Sequence, residues 1–388
     1  MSNSSYFNEF LWETNEFFCF ILIAFIHVYN NARDNRSRLT RSAILQPNLA
    51  PWERLINFGD DGSFLTMTGF SRPAFMLLES ILKPAPSQFN LGGRPSKLNF
   101  RAQLGLFLMW CCSRMKLKEL CLLFGCVPSS AHQYLKKMLS RAAPILRRNP
   151  DAQVKFPDVP EMARLANLVA LREPLVRNVV GFVDGCSIKI ECTSEPEIQN
   201  AYYDGFTCDT CVNNVFLFSP EGKILFAAIN FPGSWHDSAV SFDLIRTVLN
   251  AVGEEDFAFC VDQGFPRSGP LQDKFVGPYS KKFLKKLDAI VRELLLVRIH
   301  RYISLRQSAE WGMRALQGTF TRLKSRLTSN NRMRKLVIET IVLLSNFRTA
   351  HVGLNQIATV FNPHYEQSLN LDGYDRIARY FHNDNDFN

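Results

Sequence analysis

The chain has 388 residues, 46% of them hydrophobic, which suits two domains or one large domain with a helical extension and excludes a largely disordered polypeptide. Its 32 Phe are scattered with no fixed period, so a repeat architecture is excluded as well. The formal charge is +9, and it is concentrated: ten Lys/Arg face one acid, Glu119, between Lys97 and Arg148, and fifteen face three acids between Lys281 and Lys335. Two basic regions of that density suit a nucleic-acid partner, because each neutralised phosphate releases counterions.

In chain order, the first feature is the apolar run Phe17 to Val28. At 12 residues it is short for a bilayer span, and Glu9, Glu13 and Glu16 precede it where a signal peptide carries positive charge. A buried helix is the expectation, with a signal anchor as the alternative. Arg33, Arg36, Arg38 and Arg41 follow and suit a nuclear-import or DNA-contacting arm. Residues 1 to 95 read as apolar helices broken at Pro47, Pro51, Gly59 to Gly62 and Pro84 to Pro86.

Residues 96 to 150 form a basic helical segment. Leu117 to Phe124 is a short amphipathic helix ended by Gly125, and Val127, Pro128, Ser129 and Ser130 make a start with a hydroxyl cap. Ala131, Tyr134, Leu135 and Met138 then share one helical face, while His132, Gln133, Lys136 and Lys137 share the other. That is the outline of a helix-turn-helix, in which Ser129, His132, Gln133, Lys136 and Lys137 are the candidate DNA contacts. A plain packing hairpin has the same outline.

From residue 175 strands are expected at Asn178 to Ile190, Val212 to Phe218, Lys223 to Phe231 and Phe257 to Val261, with Ser219 to Gly222 as a hairpin turn. Helical pattern dominates from 282 to 360, and 362 to 388 reads as a polar tail. The ten Cys are expected to be free thiols packed as small hydrophobes. Cys208 and Cys211 have ligand spacing but lack the second half of a zinc site.

The acids carry the chemistry. The apolar strand Val179 to Val183 runs into Asp184, and Phe257 to Val261 runs into Asp262. Aspartates ending two strands of one sheet can converge at its rim, where hard divalent cations such as Mg²⁺ are held by a few carboxylates and substrate phosphate. Turn capping is the other use of each Asp. Glu310 lies four residues from both Arg306 and Arg314, one stripe of a helix, which serves either as a surface ion-pair row or as a third carboxylate with arginines for phosphate.

The runs GFVDGCSIKIECTSEPEIQNAYYDGF, VNNVFLFSPEGKI, FPGSWHDSAV, FCVDQGFP and RQSAEWGMRALQGTFTRLK, in that order, resemble the nuclease domain of PIF/Harbinger-type DDE transposases, across about residues 60 to 361. The resemblance implies an RNase H-like mixed five-stranded sheet flanked by helices over 175 to 361, preceded by an all-helical region with the helix-turn-helix. It implies Asp184, Asp262 and Glu310 as catalytic metal ligands, with His236, Asp237, Arg306 and Arg314 in support. Arg322, Lys324 and Arg326 stand at its basic R-L-K segment as DNA contacts. The implied reaction is phosphodiester hydrolysis and strand transfer on double-stranded DNA with two Mg²⁺ or Mn²⁺ ions roughly 4 Å apart. The implied partners are a Myb-like DNA-binding protein and a second copy of the chain, and the implied location in a eukaryote is the nucleus. The chain departs from the family pattern at Cys208, Asp209 and Cys211, where relatives carry Lys/Arg and His, and after Pro266, where Gly277 to Ser280 only loosely echoes a Thr-Pro-Tyr motif. A domesticated, inactive DNA-binding or recruitment protein is the alternative function, and a membrane-anchored enzyme a second.

Overall fold

The computed structural model describes residues 21–28, 39–84, 95–176, 178–279 and 284–361. The helices between residue 51 and the sheet are α1 (Pro51–Phe58), α2 (Asp61–Thr68), α3 (Arg72–Leu82), α4 (Phe100–Cys112), α5 (Leu117–Phe124), α6 (Pro128–Leu146) and α7 (Val159–Arg172). Their ends follow local chemistry. The Asp60 carboxylate accepts from Ser63 N (2.8 Å) to start α2, and Asn99 Oδ1 accepts from Ala102 N (2.8 Å) to start α4. The expected hydroxyl cap on α6 is absent. Pro128 opens that helix instead, because its fixed φ and missing N–H suit the first turn.

Then come β1 (Val179–Lys189), α8 (Pro196–Tyr202), β2 (Tyr203–Asp204), β3 (Asp209–Phe218), β4 (Ile224–Pro232), α9 (Asp237–Val240), α10 (Phe242–Val252), β5 (Ala258–Cys260) and β6 (Phe275–Val276). The chain ends its described part with α11 (Ala289–Thr319), α12 (Asn331–His351) and α13 (Gln356–Phe361). Among the described residues the sheet has six strands in the order β2-β3-β1-β5-β6, with β4 also paired to β3. The β1–β3 and β3–β4 pairs are antiparallel, whereas β1–β5 and β5–β6 are parallel.

This is a mixed sheet flanked by helices, consistent with an RNase H-like fold, but with one strand more than expected. Two short strands are not among those expected from the sequence: β2, pairing with Asp209 and Thr210 at the start of β3, and β6, pairing with β5. The hairpin turn falls where expected: Gly222 N donates to Ser219 O (2.9 Å), and Gly222 has φ +80°.

Both sheet faces are buried. One core joins Trp52, Phe107 and Leu135 of the N-terminal helices to Phe182 and Phe216 of the sheet and Phe347 of α12. The other packs Met162, Leu165, Leu244 and Val248 on Val183, Val215 and Phe275. The apolar stretch near the N-terminus is a correction to the expected buried helix. Residues 21–28 are helical, but Ile23 and Phe25 are 63% and 68% exposed, because no described element packs over them. Among the described residues no helix is long and apolar enough to cross a membrane. The Arg33, Arg36 and Arg38 arm and the 362–388 tail lie outside the described residues. Among the described residues nine cysteines are free, as expected.

Candidate active site

Strand register brings the first two acids together. Phe182 of β1 pairs in parallel with Cys260 of β5, and Asp184 and Asp262 each stand two residues further on. The register continued by those two residues sets the aspartates side by side at the end of β5. β1 itself does not end there. It runs on to Lys189 against β3, with Asp184 opposite Phe216, so Asp184 is a mid-strand residue that passes the end of its short neighbour.

Alternation along β1 puts Asp184 on the face of Phe182 and Cys186, beneath α11. There Gln317 Nε2 donates to Cys186 Sγ (3.0 Å), and Cys260 Sγ donates to Tyr302 O (3.6 Å). Gly185 points to the other face, where a third carboxylate arrives. A side-chain carbon on Gly185 would lie 2.6 Å from both Asp237 carboxylate oxygens. Only glycine leaves room for Asp237, the first residue of α9.

The local hydrogen bonds are few. The Asp184 carboxylate accepts from Gly185 N (3.0 Å), and that of Asp262 accepts from Gly264 N (2.6 Å), an Asx turn of the kind the sequence allows as the alternative role. Burial pushes the Asp184 carboxyl up to about 6; Gly185 N–H and Arg306 oppose the rise, and the charges of Asp262 and Asp237 add to it. Burial and then the charge of Asp262 raise Asp237 too. Asp184, Asp237 and Asp262 thus stand close enough to act on one another electrostatically.

Glu310 sits elsewhere in this balance. Arg306 Nη2 donates to Glu310 Oε1 (2.6 Å) one turn along α11. The same guanidinium is the cation acting on Asp184, so Arg306 interacts with the expected first and third members of the site. Among the described residues no group of three or more His, Cys, Asp and Glu side chains is placed to hold a metal ion. Asp184, Asp262 and Glu310 are therefore not gathered into such a set. Glu310 is instead paired with Arg306. The donor chemistry nevertheless fits a hard divalent cation, which would favour the ionised forms that burial and, to a lesser degree, neighbouring charge oppose at Asp184 and Asp237.

The supporting and DNA-contacting residues divide. His236 is exposed, caps α9 and acts electrostatically on Asp204 and Asp237. Arg314 is exposed on α11. On α6, His132, Gln133, Lys136 and Lys137 are exposed with Ser129, and Ala131, Tyr134, Leu135 and Met138 are buried, as the periodicity requires.

The R-L-K segment behaves differently. Arg322 is committed to structure: Nε donates to Trp110 O (3.0 Å), Nη2 to Met115 O (2.8 Å), and the guanidinium lies 4.9 Å from the Trp110 ring centre. Arg326 forms a two-bonded pair with Asp209 (2.8 and 3.0 Å), a carboxylate that Lys189 also contacts (2.9 Å). Lys324 is exposed.

Two further residues shape the site without standing out in the sequence. Gly185 is one. Asn213 is the other: its Nδ2 donates to Gly233 O (3.1 Å) and Trp235 O (2.8 Å), while its Oδ1 accepts from Ser187 Oγ (2.6 Å). It fixes the loop that delivers His236 and Asp237. A signal for it exists, since Asn213 and Asn214 interrupt an apolar strand, and buried amides in a strand need partners.

No curated protein and no solved structure matches the chain. Residues 183–346 match the family model of the DDE superfamily endonuclease. The matched stretch opens one residue before Asp184 and includes Asp237, Asp262, Arg306 and Glu310, and it supports a DDE transposase-type nuclease.

Proposed function

We propose that the chain is a metal-dependent DNA endonuclease of the PIF/Harbinger transposase type, which cleaves and transfers phosphodiester bonds. The observation that carries this reading is the parallel register of β1 and β5, which makes neighbours of Asp184 and Asp262 from residues 78 positions apart in the chain. Asp184, Asp262 and Glu310 would hold the divalent ions, Mg²⁺ or Mn²⁺. Bound there, such ions supply an activated water and stabilise the leaving oxygen. The protein's part is positional. Gly185 admits Asp237, Asn213 fixes the loop before it, and Arg306 offsets the charge of Asp184 until substrate phosphate competes for it.

In this reading α5 and α6 form a helix-turn-helix whose exposed face of Ser129, His132, Gln133, Lys136 and Lys137 meets double-stranded DNA. Lys324 and Arg314 extend the basic surface near α11. A nuclear location, a Myb-like DNA-binding partner and a homodimer accompany the family resemblance.

A second reading has its own observation. Glu310 is paired with Arg306, and among the described residues the three acids do not form a metal-holding group, as expected of a domesticated DNA-binding protein that keeps the fold without the cleavage. Nicking of a labelled duplex separates the two. Wild type should cut in Mg²⁺ or Mn²⁺ and not with a chelator. Asp262→Asn should lose nearly all cutting with DNA binding kept, and Asp237→Asn should retain part of it. A wild type that binds DNA with every metal tried and never cuts it would replace the nuclease with the second reading.

A further inference from the structure

Beside the acids stands a group of side chains with no part in the chemistry so far. Trp235 lies two residues before Asp237 and is 45% exposed. An exposed aromatic on a free loop is ordinary, but this one is held from several directions. Its backbone N–H donates to Pro232 O (3.0 Å), its backbone carbonyl accepts from Asn213 Nδ2 (2.8 Å), and the Phe231 ring lies 5.7 Å away from its ring, tilted by 37°. The preceding Ser234 binds the Ala201 carbonyl through its N–H (3.3 Å) and its hydroxyl (2.8 Å). That ties the Trp235 loop to the end of α8, from which the chain continues into Tyr203 and Phe206.

Tyr203 is 45% exposed and Phe206 is 96% exposed. The tip that carries Phe206 is shaped by Asp204, whose carboxylate accepts from Phe206 N (3.0 Å) and Thr207 Oγ1 (2.7 Å). Three exposed aromatic residues therefore sit on two segments tied to each other, β2 with its turn and the loop that leads into Asp237. A ring that is held on one side and left uncovered on the other, as Trp235 is against Phe231, loses little freedom when a flat apolar ligand settles on it. On a nucleic acid, the flat apolar surface is the face of a base.

We propose that Trp235, flanked by Tyr203 and Phe206, is a stacking platform for an unpaired nucleobase of the strand presented to Asp184 and Asp262. The proposal rests on the nuclease reading above and names the form of DNA the site prefers. Stacking suits this role because every base has a π-face, so grip is gained without sequence preference. A base held there is out of the duplex stack, which exposes the neighbouring phosphate to the acidic rim.

The test compares the full chain on a fully paired duplex and on the same duplex with a single-stranded tail carrying 2-aminopurine, without metal. Wild type should bind the tailed duplex more tightly and quench its fluorescence. Trp235→Ala should lose the quench and cut the preference for the tailed form about tenfold, the loss of one base stack. Trp235→Phe should restore both, which separates stacking from a folding defect. Equal preference and quench in wild type and Trp235→Ala would overturn the platform while leaving the nuclease reading intact. A wild type that binds neither DNA would overturn both.

Discussion

Asp184 shows what a buried carboxylate costs the fold that carries it. Its carboxyl is raised from 3.8 to about 6, chiefly by burial. The ionised form therefore opposes folding above about pH 6, and that penalty vanishes as pH falls through 6 toward the ordinary carboxyl range. Asp184→Asn should stabilise the metal-free protein by about 1–3 kcal/mol near pH 7.5, with the gain shrinking to near zero at about pH 4. Urea unfolding at both pH values, in chelator, checks this; an equal gain at both would assign it to packing rather than charge. The presence of Asp184 and Asp262 is legible in the sequence because a charge at the end of an apolar run needs a reason. Their environment is not. Arg306 and Glu310 share a helix stripe by spacing, but a linear pattern holds no information on whether that stripe turns its acid toward the sheet or back to its own arginine. Gly185 and Asn213 are hidden for a related reason: a glycine and an amide declare their role only through what meets them from another element.

The strands and helices are mostly legible as elements. β1, β3, β4 and β5 fall within a few residues of their expected bounds, since short β-branched and aromatic runs between turn residues have few other uses. β2 and β6 leave no such mark, because two-residue strands have no periodicity to read. α6 shows where periodicity succeeds. Its buried and exposed faces are those expected, whereas the function of the exposed face is a separate matter that packing alone does not decide. If α6 meets DNA, replacing Lys136 and Lys137 with Ala should lower the slope of log affinity against log salt by about two, one for each phosphate no longer neutralised. An unchanged slope in a filter-binding or anisotropy series would leave α5 and α6 as a packing hairpin. The junction between α11 and α12 runs the opposite way. Arg322 and Arg326 have the spacing of free cations in the chain, and the fold uses them to hold Trp110, Met115 and Asp209 in place.

Across the whole molecule, the N-terminal helices and the sheet share one core, so the basic face of α6 is carried on the same packed body as the acidic rim. Charge is divided over that body as the composition implies: basic stretches at 97–148 and 281–335, and an acidic balance in the remainder, which contains Asp184, Asp237 and Asp262. Such a division suits a protein that grips a polyanion broadly and reserves one acidic point for cations. The family match begins at that point, at residue 183, and leaves the N-terminal helices outside it. If the acidic rim holds cations, Mn²⁺ affinity by electron paramagnetic resonance at neutral pH is the most direct measurement of it. Wild type should bind Mn²⁺, and Asp184→Asn and Asp262→Asn should each weaken binding by roughly 10–100-fold or more, since even the partners that merely orient metal ligands matter that much. Mn²⁺ affinity that is equal in wild type and both variants would contradict the account.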